Sequence, residues 1–355
     1  MNRIFTVQEC PAISRIFNYA TTVEQRTSVC PIIFIFIVCL QTITANLFAQ
    51  SAATYPVTIT VAKDGTGNYQ NIQDAINALR AYSPTHNTIY IKNGLYKEKV
   101  TIPAWVTNLS IKGESKDSTI LTNSDYSGKF LFADTINNKQ KHSTFTSYTL
   151  YVQGNDIDIE NMTIQNEAGK VGQAVALHVD GDRFILRNCN LLGNQDTLLT
   201  ANDSARQYFE NCFIEGTTDF IFGNATAVFN QCIIHSLSNS YITAASTMPH
   251  QKFGYVFMNC QLTANEKTDK VYLGRPWRAF AKTVFLNCNL GKHIRVEGWH
   301  NWGNKDNEAT AFYAEYNNVG EGATTENRVA WSKQLSNKQS KKYTLKNIFS
   351  GWQPR

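Results

Sequence analysis

Six segments of this chain share one frame: an apolar run, an Asn or Gln, a Cys or Met, and another apolar residue two positions on. They are Asp158-Ile159-Glu160-Asn161-Met162, Phe184-Ile185-Leu186-Arg187-Asn188-Cys189, Tyr208-Phe209-Glu210-Asn211-Cys212, Val228-Phe229-Asn230-Gln231-Cys232, Tyr255-Val256-Phe257-Met258-Asn259-Cys260 and Val284-Phe285-Leu286-Asn287-Cys288. From Met162 the steps are 27, 23, 20, 28 and 28 residues, a period that belongs to stacked-repeat architectures. Each unit is a short β-branched and aromatic strand followed by a polar turn, without helical periodicity. Such a strand cannot bury its inner face alone, whereas stacked coils of a parallel β-helix bury a continuous core. The expected class is therefore all-β, a single-stranded parallel β-helix (solenoid). The cysteines are expected to be inert core residues, and the Asn beside each to belong to a turn or an Asn stack.

The pattern extends upstream through Thr88–Lys92, Leu109–Lys112 and Tyr148–Val152. Before it, Ile72, Ala75, Ile76 and Leu79 form one helical stripe, with Asn71 placed to cap it. A solenoid needs its open end covered, and this helix is the predicted N-terminal plug. After Cys288 the strand rhythm decays, and the segment around Lys333, Lys338, Lys341 and Lys342 reads as a solvated, partly helical C-terminal cover. No linker interrupts the chain, so residues 50–355 are expected to form one catalytic domain.

Residues 1–49 read differently. Pro31–Leu40 is an apolar run of ten residues, short of the ~20 a spanning helix needs. Arg3, Arg15 and Arg26 precede it and Leu47-Phe48-Ala49 follows, the pattern of a secretory signal peptide cut after Ala49. An uncleaved anchor is the alternative. The expected location is secreted or periplasmic, without membrane contact after cleavage. Three of the eight cysteines fall in this leader; the five left are odd in number and lack any C-x-x-C, so neither a disulfide framework nor a zinc site is indicated. The net charge of +5 is too small and too evenly spread for a nucleic-acid binder.

Common catalytic signatures (G-x-S-x-G, H-E-x-x-H, the Walker loop, G-x-G-x-x-G) do not occur. What stands out is polar residues in apolar company: Gln173-Ala174-Val175-Ala176-Leu177, Gly193-Asn194-Gln195-Asp196-Thr197-Leu198, Asp219-Phe220-Ile221-Phe222-Gly223 and Leu273-Gly274-Arg275-Pro276-Trp277. Asp196 and Asp219 each lie seven residues beyond a repeat cysteine, which puts them on consecutive coils about 4.8 Å apart. Gln173 and Gln195 are one coil apart as well. Two carboxyls that close cannot both ionise freely, so one holds its proton while the other stays an anion. Arg275 would pair with the anion, and the glutamine amides would offer donors to an oxyanion. Nucleophile, acid, cation and donors together describe acyl transfer without a metal or other cofactor. Against this stands a structural alternative, in which the acids cap turns or bind calcium as in many secreted solenoids.

With these residues in place, the chain from about Val57 to Trp352 resembles the pectin methylesterases (pectinesterases), secreted right-handed parallel β-helix enzymes. The resemblance rests on Gln195-Asp196-Thr197-Leu198, Asp219–Gly223 and Leu273–Trp277 in that order. It is supported by Gly67–Ile76, Gly94–Glu98, Ile242-Thr243-Ala244, Gly298-Trp299 with Trp302, and Tyr313–Tyr316. It implies Asp219 as nucleophile on the C6 methyl ester of a galacturonate unit. Asp196 would be the acid for departing methanol and then the base for water. Gln195 and Gln173 would hold the oxyanion, Arg275 would keep Asp219 ionised, and Trp277 and Phe222 would line the sugar groove. The implied partner is pectin, the expected state a monomer. Leu199 departs from the Tyr that the family often carries there, and the lack of a long pro-domain suggests a bacterial-type member. Three alternatives remain: the same site on another ester, a same-fold glycosidase or lyase, and a non-catalytic carbohydrate-binding solenoid, which two abutting acids disfavour.

Overall fold

The computed structural model describes residues 57–131 and 139–354; the expected leader, residues 1–49, lies outside them. The chain winds into three parallel sheets of 11, 8 and 7 strands, in which each strand pairs with its equivalents one coil earlier and one coil later. This is the parallel β-helix that the repeat predicts.

The repeat frame maps directly onto the coil. Its apolar run is a strand of the 11-stranded sheet, and the residue three before each Cys points inward. Phe209, Phe229, Phe257 and Phe285 stack as a column with centroids 4.3–4.7 Å apart and planes within 12° of parallel. All four are fully buried, as are the five cysteines, which are unpaired. The Asn between run and Cys turns the chain into the 8-stranded sheet. Asn161, Asn188, Asn211, Asn259 and Asn287 all have φ between 47° and 59°, a left-handed conformation that Asn tolerates better than other side-chain-bearing residues. Gln231 takes the same conformation at 56°. Some of these residues also stack, Asn188 Nδ2 donating to Asn161 Oδ1 at 2.7 Å.

A seventh coil follows Cys288, where the sequence rhythm fades. Strand Phe312–Tyr316 pairs with Lys282–Leu286, placing Glu315 in the phenylalanine column and Asn317 (φ 50°) at the turn. Glu315 is 1% exposed. Arg328 donates to it through Nε (2.8 Å) and Nη2 (3.2 Å), and Trp299 Nε1 donates at 3.3 Å. The column thus ends in a buried, hydrogen-bonded ion pair, in which loss of either partner strands the other charge.

The N-terminal helix spans Ile72–Asn77 and buries Ile72, Ala75 and Ile76 as predicted, but Asn71 does not cap it. The Asn71 amide instead donates to Asp74 at 2.9 Å. The cap comes from Glu98, whose carboxylate accepts from the Ile72 and Gln73 N–H groups at 3.0–3.2 Å. An anion suits the positive end of the helix better than an amide. The C-terminal segment is partly helical (Asn337–Ser340 and Leu345–Ile348), with exposed lysines as expected. It also inserts Leu335, Ile348 and Phe349 against Tyr208, Val256 and Val284, the outward residues of the 11-stranded sheet.

Candidate active site

The site lies on the 7-stranded sheet, where two turns repeat the same backbone. Strands Leu198–Thr200 and Ile221–Gly223 are neighbours with Leu198 opposite Ile221, so Asp196 and Asp219, each two residues earlier, sit at one phase of adjacent coils. The Asp196 N–H donates to the Thr218 carbonyl (3.1 Å), and the Asp219 N–H to the Tyr241 carbonyl (2.8 Å). Both aspartates are left-handed, at φ 66° and 49°, a conformation that costs roughly 1–3 kcal/mol and persists only where the surroundings enforce it. Three residues before each stands a glycine; a Cβ there would come within 2.6 Å of Thr197 Oγ1 at Gly193 and 2.2 Å of Phe220 Cβ at Gly216. The tight turns aim both carboxyls out of the coil on the same face.

Gln173 and Gln195 form a parallel bridge between the coil before the aspartates and the Asp196 coil. One residue is extra between Gln173 and Leu177, and the Thr197 carbonyl accepts from both Ala176 and Leu177 N–H groups, at 2.8 and 3.2 Å. This bulge brings the two amides beside the acids. Arg275 comes from the strand two coils on, opposite Ala244. Its Nε and Nη2 donate to Asp219 Oδ1 (2.9 Å) and Oδ2 (2.6 Å), a bidentate pair. Tyr241 and Trp302 clamp the guanidinium from two sides, with ring centroids 3.9 and 3.7 Å from Cζ.

All seven residues singled out from the sequence line one cavity of about 230 Å³, together with Thr144, Phe145, Ala244 and Trp302. Their exposure differs. Phe222 is only 4% exposed and packs with Val175, Leu199 and Ala244, so it forms the floor, whereas Trp277, 6.0 Å from it, is half-buried and forms a wall. Leu199 is buried in that floor and adds no aromatic face to the groove. Thr144, Phe145, Tyr241 and the clamping role of Trp302 were not predicted. Thr144 and Phe145 lie on a short 3-10 turn outside the repeat, where no periodic signal exists. Trp302 was legible only as a member of a motif, and Tyr241 stands one residue before the Ile242-Thr243-Ala244 segment.

The two acids are electrostatically unequal. Burial and then the Asp219 charge push Asp196 up to about 8, against the weaker opposing pull of Arg275. Burial raises Asp219 too, but the hydrogen bonds and charge of Arg275 oppose the rise. At neutral pH the arrangement favours a protonated Asp196 beside an Asp219 anion. Neither the Asp196 carboxyl nor the two glutamine amides has a side-chain hydrogen-bond partner among the described residues. Those groups are free to meet a ligand. The described residues also assemble no group of three or more His, Cys, Asp or Glu side chains suited to a metal ion.

Comparison with known proteins identifies the family. The family model described as pectinesterase matches residues 58–352. Pectinesterase 31 of Arabidopsis thaliana is 38% identical over 284 residues, 78% of this chain and 87% of the relative. The structure of pectin methylesterase from carrot superposes with a TM-score of 0.76 at 33% identity, covering 85% of this chain and 95% of the carrot chain. That of PemA from Erwinia chrysanthemi gives 0.70 at 29%, covering 86% and 99%. Similar curated relatives include Arabidopsis thaliana proteins, which lends the bacterial-type expectation no support. Repeat, coil and site converge, and the chain belongs to the pectinesterase family of carboxylic ester hydrolases.

Proposed function

We propose that this chain hydrolyses the C6 methyl esters of methylated polygalacturonate, releasing methanol through an aspartyl acyl-enzyme. The observation that carries the reading is the split carboxyl pair: Asp219 gripped by Arg275, Asp196 unpartnered and pushed up to about 8. The Asp219 carboxylate attacks the ester carbonyl carbon, and the negative charge passes to the carbonyl oxygen. The amides of Gln173 and Gln195 stabilise that oxyanion, being neutral donors that leave the Asp219 anion undisturbed. Collapse of the adduct breaks the bond to the methoxy oxygen, which takes the proton of Asp196 and leaves as methanol. Asp196, now an anion, draws a proton from water, and the resulting hydroxide attacks the mixed anhydride. That step expels the Asp219 carboxylate, leaves Asp196 protonated by the proton it drew from water, and frees a galacturonic acid whose carboxyl gives its proton to solvent. Arg275, held between Tyr241 and Trp302, keeps the nucleophile ionised and aimed. Trp277 offers a half-exposed ring to an apolar sugar face, with Phe222 beneath it.

A hexasaccharide complex of a pectin methylesterase, similar to this chain at TM-score 0.70 and 30% identity, supports a polysaccharide occupant for the groove. We further place the chain outside the cytoplasm as a monomer, in keeping with the Pro31–Leu40 run and a polymeric substrate. Methanol release from highly methylated pectin, unaffected by chelator, is the expected result, and no release would overturn the reading. In Gln195→Ala, kcat should drop by about 10²–10³, the usual cost of one oxyanion donor, with the melting temperature little changed. An unaltered kcat would remove Gln195 from the mechanism.

A further inference from the structure

The loop that carries Trp302 over Arg275 is fixed by His300, a residue outside the cavity lining. Gly274 bridges to Trp299 on the next coil, and the His300 N–H donates to the Gly274 carbonyl at 3.1 Å, so His300 sits one coil beyond Arg275. Its half-buried ring meets Tyr241 and Tyr272, each with its centroid 5.3 Å away, and those two tyrosines stack on each other at 5.3 Å. Tyr241 is the ring that clamps one side of Arg275. The imidazole also reaches the other side of the clamp, because the Trp302 N–H donates to its Nδ1 at 3.0 Å. One side chain thus meets both residues that hold the guanidinium on Asp219.

An acceptor at this position suits the backbone. Trp302 is left-handed at φ 65°, a conformation that a bulky residue keeps only where its surroundings enforce it. The same loop repeats the device twice with asparagine: the Gly303 N–H donates to Asn301 Oδ1 at 2.9 Å, and the Asp306 N–H to Asn304 Oδ1 at 3.0 Å. Asparagine is the usual residue for such a turn. His300 makes the same bond with a ring that titrates. Because Nδ1 accepts, it carries no proton, and the neutral ring keeps its proton on Nε2. The titratable groups packed on the ring are Tyr241 and Tyr272, and the charges acting on it are Arg275 and Arg295, the latter paired with Glu297. Burial first, and then those two guanidiniums, hold the imidazole below its ordinary value.

We propose that His300 is a positioning residue for the nucleophile: in its neutral form it holds Trp302 against Arg275 and so keeps the guanidinium seated on Asp219. Protonation turns Nδ1 from acceptor to donor, sets its N–H against the Trp302 N–H, and adds a cation beside Arg275. The clamp then loosens, and with it the aim of Asp219. The inference rests on the esterase reading and adds to it an acid-side control, exerted by a group that does not line the cavity.

The test is methanol release from methylated pectin by wild type, His300→Asn and His300→Leu between about pH 4.5 and about pH 7.5, the range that spans imidazole titration. Asn puts Oδ1 where Nδ1 stands and does not titrate; Leu removes the acceptor. At the neutral end His300→Leu should lose about tenfold in kcat with KM little changed, while His300→Asn retains most of it. On acidification wild type should lose about fivefold more kcat than His300→Asn, because only the imidazole ceases to accept. Wild-type kcat in His300→Leu, or a loss confined to KM, overturns the proposal; the second result would make Trp302 a sugar contact alone. An asparagine variant with the acid limb of wild type overturns it too. The same holds if His300→Asn fails as His300→Leu does, since packing between the tyrosines, not the acceptor, would then be what matters. Should the leucine variant not fold, the asparagine comparison still decides. Absence of methanol release by wild type at every pH brings down the esterase reading, and the inference with it.

Discussion

Asp219→Asn is expected to lower methanol release from methylated pectin by at least about four orders of magnitude, because an amide cannot form the acyl-enzyme. The substitution is nearly isosteric, and the tight turn at Gly216 that aims the side chain is untouched, so the fold should persist. Its cost to stability comes from Arg275. The guanidinium donates to both Asp219 oxygens, at 2.9 and 2.6 Å, and an amide can accept only one of those bonds. The other N–H would face an NH₂ group. Arg275 keeps its clamp between Tyr241 and Trp302 but loses its counter-charge in a site where little solvent replaces it. A loss of about 1–3 kcal/mol follows, read as a lower melting temperature. The informative pattern is a large loss of turnover with pectin binding retained. Near-normal turnover in a folded Asp219→Asn protein would show that another group attacks the ester.

The coil was legible in the sequence because its core is periodic. Phe209, Phe229, Phe257 and Phe285 recur at a fixed offset from buried cysteines, and a left-handed Asn or Gln stands between them each time. Where that chemistry changed, the reading stopped short. The seventh coil puts Glu315 in the phenylalanine column and Asn318 where the cysteine would be, and its partner Arg328 is 13 residues on. Only Asn317, 30 residues after Asn287, betrays the period, and its amide does donate to Asn287 at 2.8 Å. The helix cap failed for a related reason. Asn71 has the local chemistry of a cap, but Glu98, 26 residues beyond Ile72, is brought to the helix end by the winding of the coil. Local rules cannot see such a partner. The site fared better than its walls. Asp196, Asp219, Gln173 and Gln195 lie in coils whose phase the repeat fixes, and Arg275 reaches them from a motif. Phe145 reaches the cavity from a turn with no repeat to locate it. Trp302 clamps Arg275 from a left-handed backbone position (φ 65°), an unusual conformation for so bulky a residue that composition does not reveal.

Asp196→Asn separates the two halves of the reaction. On a methyl ester the variant should lose about three to four orders of magnitude in turnover, since methoxide must leave without a proton. On an ester with an acidic leaving group, such as a phenol, departure needs no acid. Acylation of Asp219 should then proceed, and the reaction should stall after one equivalent because no base activates water against the anhydride. A steady rate equal to wild type on that substrate would take Asp196 out of both steps. The same residue makes a signed statement about pH. Its carboxyl titrates near 3.8 when unperturbed and at about 8 in the fold. A group raised on folding contributes stability that is complete below its unfolded value and is lost as pH rises through the folded one, because the folded chain must expel a proton it holds more tightly. Wild type should therefore lose stability between about pH 4 and pH 8, by on the order of a few kcal/mol from this group, while turnover falls above about pH 8 as the acid is deprotonated. Asn carries no such proton. The Asp196→Asn melting temperature should stay flatter over that range and exceed that of wild type at its alkaline end, although the variant is nearly inactive. Identical pH profiles of melting for the two proteins would mean that Asp196 is not the neutral, buried acid that departure of methanol requires.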